Sequence, residues 1–322
     1  MLSFVPHGLA PNAPLVVVLH GCTQTAEAHA DAAGWLALAS QAGFAVLAPE
    51  QRTSNNPNRC FNWFKPGDAA RDQGEAASIR AMIAHMLDAH QLDAQRVFIT
   101  GLSAGGAMTS AMLGSYPEVF AGGAIVAGLP FGVADNVQSA FAAMGGLGQP
   151  TEHRSVPGSR LPRVTVWHGD ADHTVSVANM DQIARQWLSA HALSFERGAS
   201  ETLGRRVKTV WRASGSDQIL VETNIVRDLG HGTPLATEGH NGLGSVAPYM
   251  LEAEISAVLE IARFWGLPIP DLYNSTEKRA KRAATNKTSH LGESIGASLA
   301  GSVPANVENV IKNALRRAGL MR

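Results

Sequence analysis

The chain has 322 residues, 45% of them hydrophobic, which is enough to bury a sizeable core within one main domain. Its 26 basic and 27 acidic residues nearly cancel, so the charge leaves no electrostatic footprint for nucleic acid or an anionic membrane and suits small-molecule or neutral polymer substrates. No run approaches the roughly 20 apolar residues that span a bilayer, and the two cysteines, Cys22 and Cys60, lack metal-ligand spacing.

The chain starts abruptly, with Leu2 to Pro6 already reading as strand. There is no basic segment followed by an apolar stretch, which leaves open an upstream segment with a signal peptide. Short apolar runs bounded by turn residues then recur at Leu15 to Leu19, Phe44 to Ala48, Val97 to Thr100, Ala124 to Ala127 and Val164 to Trp167, and they predict buried parallel strands. Helical spacing is found between and after them at Ala26 to Gln41, Ala69 to His90, Ala104 to Ser115, Val177 to Ala190 and Pro248 to Phe264. The alternation predicts an α/β fold with a mostly parallel central sheet and helices on both faces. Arg206 to Arg212 and Gln218 to Val226 flank a turn-like Ala213-Ser214-Gly215-Ser216-Asp217 and predict an antiparallel pair at one edge.

Pro268-Ile269-Pro270 stops the preceding helix, so residues 1–267 are expected to form the main α/β domain and 268–322 a basic, partly helical C-terminal extension. The extension carries nine Lys or Arg against four Asp or Glu. Within it Val307, Val310, Ile311, Ala314 and Leu315 fall at helical spacing, which predicts a helix docked on the body or a solvated tail, with surface attachment as the alternative.

Gly101-Leu102-Ser103-Ala104-Gly105 is a G-x-S-x-G placed after an apolar strand and before a helix, the setting of a sharp turn that presents a serine hydroxyl above the sheet. A serine nucleophile needs a histidine base and a carboxylate that fixes its tautomer, and in α/β-hydrolases these follow in the order acid, then histidine. His168-Gly169-Asp170-Ala171-Asp172 follows an apolar run and offers two carboxylates, of which Asp172 is the choice for the acid and Asp170 a loop-capping group. His173, His191, His231, His240 and His290 lie downstream; His231, between Gly230 and Gly232 after a strand, is the choice for the base, with His240 behind it. The backbone N–H groups of Ala104 and Cys22 are candidates for the oxyanion hole, and His20 shapes the loop holding Cys22. Cys60-Phe61-Asn62-Trp63-Phe64 clusters aromatics in a loop-like region, so His20, Asn62, Trp63 and Trp167 are candidate pocket residues, with core packing as the other reading. Cys22 and Cys60 sit in these two loops and can bridge them, the alternative being two separate reduced thiols.

Assembled, the segments resemble the family of esterases related to polyhydroxybutyrate (PHB) depolymerases, itself similar to feruloyl and acetylxylan esterases. The likeness rests on Leu19-His20-Gly21-Cys22-Thr23-Gln24, Arg59-Cys60-Phe61-Asn62-Trp63-Phe64, Gly74-Glu75-Ala76-Ala77-Ser78-Ile79, the Ser103 motif, Trp167-His168-Gly169, Asp172, Gly230-His231-Gly232-Thr233-Pro234-Leu235 and Phe264-Trp265-Gly266-Leu267. It implies a serine esterase of α/β-hydrolase fold acting on carboxylic esters through an acyl-enzyme, with Ser103, Asp172 and His231 as the triad and neither metal nor organic cofactor. Hydroxyalkanoate oligomers or polymer come first as the implied substrate, feruloyl or acetylxylan esters second, and an extracellular or periplasmic setting is implied. A non-catalytic binding protein on the same fold is the reading from another class.

Overall fold

Five apolar runs become interior parallel strands because nearly every residue in them is shielded on both faces: β2 (Leu15–Leu19), β3 (Ala45–Ala48), β4 (Val97–Leu102), β5 (Gly122–Val126) and β6 (Arg163–Gly169). The computed structural model describes residues 1–151 and 160–270. In it β1 (Leu2–Phe4), β7 (Ala199–Leu203), β8 (Arg206–Arg212) and β9 (Ile219–Val226) complete a sheet of order β1-β3-β2-β4-β5-β6-β9-β8-β7. β9 runs parallel to β6, whereas β1, β8 and β7 pair antiparallel with their neighbours at the two edges.

Helices cover both faces, and the two-residue period of the strands sorts the side chains between them. Leu15, Val17 and Leu19 of β2 and Ile99 of β4 join a core with α4 (Gly74–Ala89), α5 (Ala104–Ser115) and α7 (Ala178–Ala190), contributing Ile83, Met112 and Trp187 respectively. On the other face, Phe98 of β4 stacks on Trp265 of α8 (Ala257–Trp265) at 5.0 Å, and Trp265 stacks on Trp35 of α2 (Trp35–Ala42) at 5.6 Å. The remaining α-helices of the described residues are α1 (Ala26–Ala32), α3 (Pro66–Ala69) and α6 (Val137–Met144), and a small parallel pair joins β10 (Thr233–Leu235) to β11 (Met250–Glu252).

Three expected helices are shorter or broken. The run from Ala26 to Gln41 splits into α1 and α2 at Gly34, whose left-handed backbone (φ 94°) approaches Leu243 so closely that a β-carbon would lie 2.9 Å from it. The run from Ala69 to His90 starts one short helix earlier, at Pro66, and resumes at Gly74. The run from Pro248 to Phe264 gives way to β11 before α8, which starts where Ser256 caps the Leu259 N–H. The antiparallel edge pair appears as β8 and β9, joined by β7, whose exposed Ala-Ser-Glu-Thr-Leu has no apolar period to reveal it.

Met1–Ile269 form one unit and Pro270–Arg322 another, and the helix expected around 307–315 lies outside the described residues. Among the described residues no helix is long and apolar enough to cross a membrane.

The aromatic stack on the α2–α8 face is a large share of its packing, since Trp265 is only 4% exposed. Trp265→Ala should lower the free energy of unfolding by about 3–5 kcal/mol through the cavity it leaves. Urea unfolding followed by circular dichroism measures this, and a loss below about 1 kcal/mol would show that the face collapses around the gap.

Candidate active site

The sheet delivers its chemistry at the C-terminal ends of β2, β4 and β6. Strand β4 ends in a turn at Ser103, whose backbone (φ 57°, ψ −117°) lies where non-glycine residues are rare, and α5 starts at the next residue. The turn is held by a bond from Ser103 N–H to the Val126 carbonyl (2.9 Å) and from Ala107 N–H to the Ser103 carbonyl (2.8 Å). Its glycines are required by contact: a β-carbon on Gly101 would lie 2.3 Å from the Gly105 carbonyl oxygen, and one on Gly105 would lie 2.3 Å from the Leu19 carbonyl oxygen. Backbone of α5 therefore rests on backbone at the end of β2.

Strand β6 leads into the loop of Asp172, and β9 into the loop of His231. The two loops are stitched together by bonds from Asp170 N–H to the Val226 carbonyl (3.2 Å), Ala171 N–H to the Leu229 carbonyl (3.1 Å) and Asp228 N–H to Asp170 Oδ1 (2.7 Å). His231 Nδ1 lies 2.7 Å from Asp172 Oδ2 and its Nε2 2.9 Å from Ser103 Oγ. With the carboxylate accepting from Nδ1–H, Nε2 is left to accept the serine proton. Oδ1 of Asp172 accepts from the N–H groups of Thr174 (2.8 Å) and Val175 (2.9 Å). Burial alone would push the Asp172 carboxyl up, but its contacts with His168 and His231 outweigh burial and hold it well below the usual carboxylate range.

The other histidines are placed elsewhere. His173 is exposed beside the acid, His191 reaches the Pro162 carbonyl at the end of α7 (3.0 Å), and His290 lies outside the described residues. Of His240 only the backbone is described, in a short turn at Gly239–Asn241. Asp170 spends its Oδ1 on the Asp228 N–H, a loop bond rather than a contact with the base.

The loop after β2 is pinned from several sides. Gln24 Oε1 accepts from Gly21 N–H (2.8 Å) and from His29 Nδ1 (3.1 Å), while its Nε2 donates to the Pro248 carbonyl (3.0 Å). A disulfide joins Cys22 to Cys60, and Thr23 N–H donates to the Asn58 carbonyl (2.7 Å), which ties this loop to the one that carries Trp63. The backbone N–H groups of Cys22 and Ala104 are not engaged in the hydrogen bonds of the described residues.

Three of the four expected pocket side chains are closed off. His20 is buried with Nε2 accepting from Gln51 N–H (3.1 Å) and Nδ1 donating to the Gly21 carbonyl (2.7 Å), so it braces its loop and faces no ligand. Asn62 is buried and shares Glu75, its N–H on Oε2 (2.8 Å) and its Nδ2 on Oε1 (2.7 Å). Trp167 is fully buried under the Arg206 guanidinium, 5.4 Å from its ring, because strand alternation turns it away from the face to which His168 points. Trp63 alone keeps some exposed surface, packing against the cluster of Ala107, Leu129, Val133, Ala143 and Val175.

Sequence reasoning missed Gln24, His168 and Tyr249. Tyr249 has a left-handed backbone (φ 66°) and stands edge-on to His231, ring centroids 6.0 Å apart. No local pattern signals it, because the contact depends on a loop that reads as helix. His168 was legible only as the neighbour of Trp167; its Nε2 lies 3.3 Å from Asp172 Oδ2.

Residues 2–208 match the family described as esterase PHB depolymerase. The chain belongs to that family. Its fold is that of the α/β-hydrolases. Over 279 residues it is 40% identical to poly(3-hydroxyalkanoate) depolymerase C of Paucimonas lemoignei, an alignment covering 83% of this chain and 66% of that protein. It is 29% identical over 218 residues to feruloyl esterase B of Talaromyces funiculosus, covering 63% and 61% of the two. The chain thus spans just under two thirds of the length of these relatives. The solved acetyl xylan esterase from Aspergillus awamori shares the fold with a TM-score of 0.67 at 22% identity, over 82% of this chain and 93% of that one.

His29, bonded to Gln24, gives the loop after β2 a pH signature. Burial, with His20 nearby, pushes its imidazole down from 6.5 to about 3, so between those values the unfolded chain binds a proton that the folded chain does not. Stability therefore falls as pH drops from about 6.5 toward 3, by about 1.4 kcal/mol per pH unit for this one group. His29→Asn, which keeps an N–H toward Gln24, should lose about 2 kcal/mol less than the parent between pH 7 and pH 5. Urea denaturation at the two pH values decides it, and equal losses would remove His29 as the cause.

Proposed function

We propose that this chain hydrolyses short-chain hydroxyalkanoate esters, as oligomers or polymer, through an acyl-enzyme on Ser103. The observation that supports it is the continuous chain from Ser103 Oγ through His231 to Asp172, with contacts of 2.9 and 2.7 Å. In this reading His231 Nε2 takes the serine proton as Oγ attacks the ester carbonyl, and a tetrahedral oxyanion forms against the N–H groups of Ala104 and Cys22. The proton on Nε2 then goes to the departing alkoxide, which leaves as the alcohol. Water repeats the sequence on the acyl-serine and releases the acid. One such oxyanion donor contributes about 3–4 kcal/mol.

The hydroxyalkanoate class is favoured by the 40% identity to a poly(3-hydroxyalkanoate) depolymerase. A feruloyl or acetylxylan ester is the second reading, supported by the feruloyl esterase relative and the acetyl xylan esterase fold. We read 1–267 as the catalytic body, since all these groups fall within it, and the basic stretch 268–322 as an extension supplying none of them.

Hydrolysis of p-nitrophenyl acetate and longer acyl esters, 3-hydroxybutyrate oligomers, methyl ferulate and acetylxylan separates the classes. Highest kcat/KM is expected on the hydroxybutyrate oligomers, and preference for methyl ferulate or acetylxylan would replace that substrate. Ser103→Ala should retain the fold and lose at least about four orders of magnitude in kcat. Substantial residual turnover in that variant, or an inactive parent, would overturn the acyl-enzyme.

The two carboxylates give a sharper contrast. Four donors converge on Asp172, namely His231 Nδ1, His168 Nε2 and the N–H groups of Thr174 and Val175, so an amide NH2 there faces another donor whichever way it turns. Asp172→Asn should drive His231 into the wrong tautomer and cost about 10⁴ in kcat. Asp170→Asn keeps an oxygen for the Asp228 N–H and should cost less than about tenfold. Equal losses would place the acid at Asp170.

A further inference from the structure

Asp172 meets two imidazoles. His168, on the last turn of β6 before the acid loop, has a side chain with no exposed surface, as does Asp172. Its Nε2 lies 2.9 Å from the Val175 carbonyl oxygen, an acceptor, so this nitrogen carries the hydrogen. The same Nε2 lies 3.3 Å from Asp172 Oδ2, the oxygen that also receives His231 Nδ1–H. The hydrogen is thus shared, chiefly toward Val175 and secondarily toward the carboxylate. Among the described residues His168 Nδ1 is buried with no hydrogen-bond partner, so the ring's polar contacts there are those of Nε2.

These contacts close a ring. Asp172 Oδ1 accepts from Thr174 and Val175 N–H, the Val175 carbonyl accepts from His168, and His168 returns to Asp172 Oδ2. Val175 is itself packed into the cluster with Ala107 of α5, which ties the ring to the helix that starts at Ser103. Remove the His168 hydrogen and Oδ2 keeps His231 as its one side-chain donor, while the Val175 carbonyl loses its side-chain donor in the interior.

We propose that His168 is a positioning residue that locks the Asp172 carboxylate in the orientation from which it holds His231, an inference that rests on the ester-hydrolase reading above. His168 touches neither the serine nor any surface open to substrate, so it acts on turnover and leaves substrate binding alone.

The test uses the full-length chain with His168→Leu, which removes the hydrogen, and His168→Gln, whose side-chain N–H reaches the place of Nε2. On p-nitrophenyl acetate, His168→Leu should lower kcat about 10- to 100-fold with KM changed less than about threefold, and His168→Gln should recover most of the loss. If circular dichroism shows that the Leu variant does not fold, His168→Asn, polar but too short to reach either acceptor, takes its place with the same expected loss. A second readout is the downfield proton resonance of His231 Nδ1–H in chain labelled with 15N-histidine. It should broaden or move in the Leu or Asn variant and stay in place in the Gln variant.

Unchanged kcat and an unchanged resonance in a folded Leu or Asn variant would overturn the proposal, as would a Gln variant as impaired as the Leu variant. An inactive parent chain would instead defeat the hydrolase reading, and the resonance would still report whether His168 orients the Asp172–His231 pair.

Discussion

The site depends on one close approach of backbone to backbone, where the first turn of α5 sits on the end of β2. Gly105 has no room for a β-carbon against the Leu19 and His20 carbonyls, and Gly101 has none against Gly105. That contact forces the left-handed turn at Ser103, lifts its hydroxyl clear of the sheet, and sets the first N–H of the helix beside the loop that carries Cys22. A larger residue at either position would move the serine and the proposed oxyanion donors together. The strain at Ser103 persists because packing on β2 and the bond to Val126 over-determine it.

Around that contact, two separate hydrogen-bond networks brace the loops of the site. One runs from Glu75 through Gln51 and Asn62 to His20, and braces the loops of Cys22 and Trp63. The other runs from Val175 and His168 through Asp172 to His231 and Ser103. Each is centred on a largely buried carboxylate, yet the two shift in opposite directions. Burial pushes Glu75 up, and the neutral amide donors of Asn62 and Gln51 do not reverse it. Asp172 is held down because imidazoles face it. The same chemical group is thus a hydrogen-bonded brace in one loop and a charge that holds an imidazole in the other.

The strands, and the segments whose Ser103, Asp172 and His231 side chains meet, were legible because they depend on local pattern: apolar runs, a glycine-flanked serine, and carboxylates after a strand. What the sequence concealed depends on distances between segments far apart in the chain. Gly34 breaks a helical pattern because Leu243 lies against it, which no local window can reveal. His20 and Trp167 looked like pocket residues because they adjoin site residues, but strand alternation and backbone partners turn them inward. Tyr249 was invisible for the converse reason, being brought to His231 by the turn just before β11, in a segment that reads as helix.

The two carboxylates of the loop after β6 show how a short segment can position His231 twice. Asp172 fixes the His231 ring through its side chain, at 2.7 Å from Nδ1. Asp170, two residues earlier, fixes the same histidine through the chain, because its Oδ1 holds the Asp228 N–H three residues before His231. Between them, the Ala171 N–H bonds to the Leu229 carbonyl, so the two loops are joined from the ends of β6 and β9 as far as Leu229, two residues before His231. An imidazole on a loop without these bonds would lose part of its orientation to chain entropy. The division also accounts for the spacing, since two carboxylates placed two residues apart can face the backbone of one loop and the ring it carries.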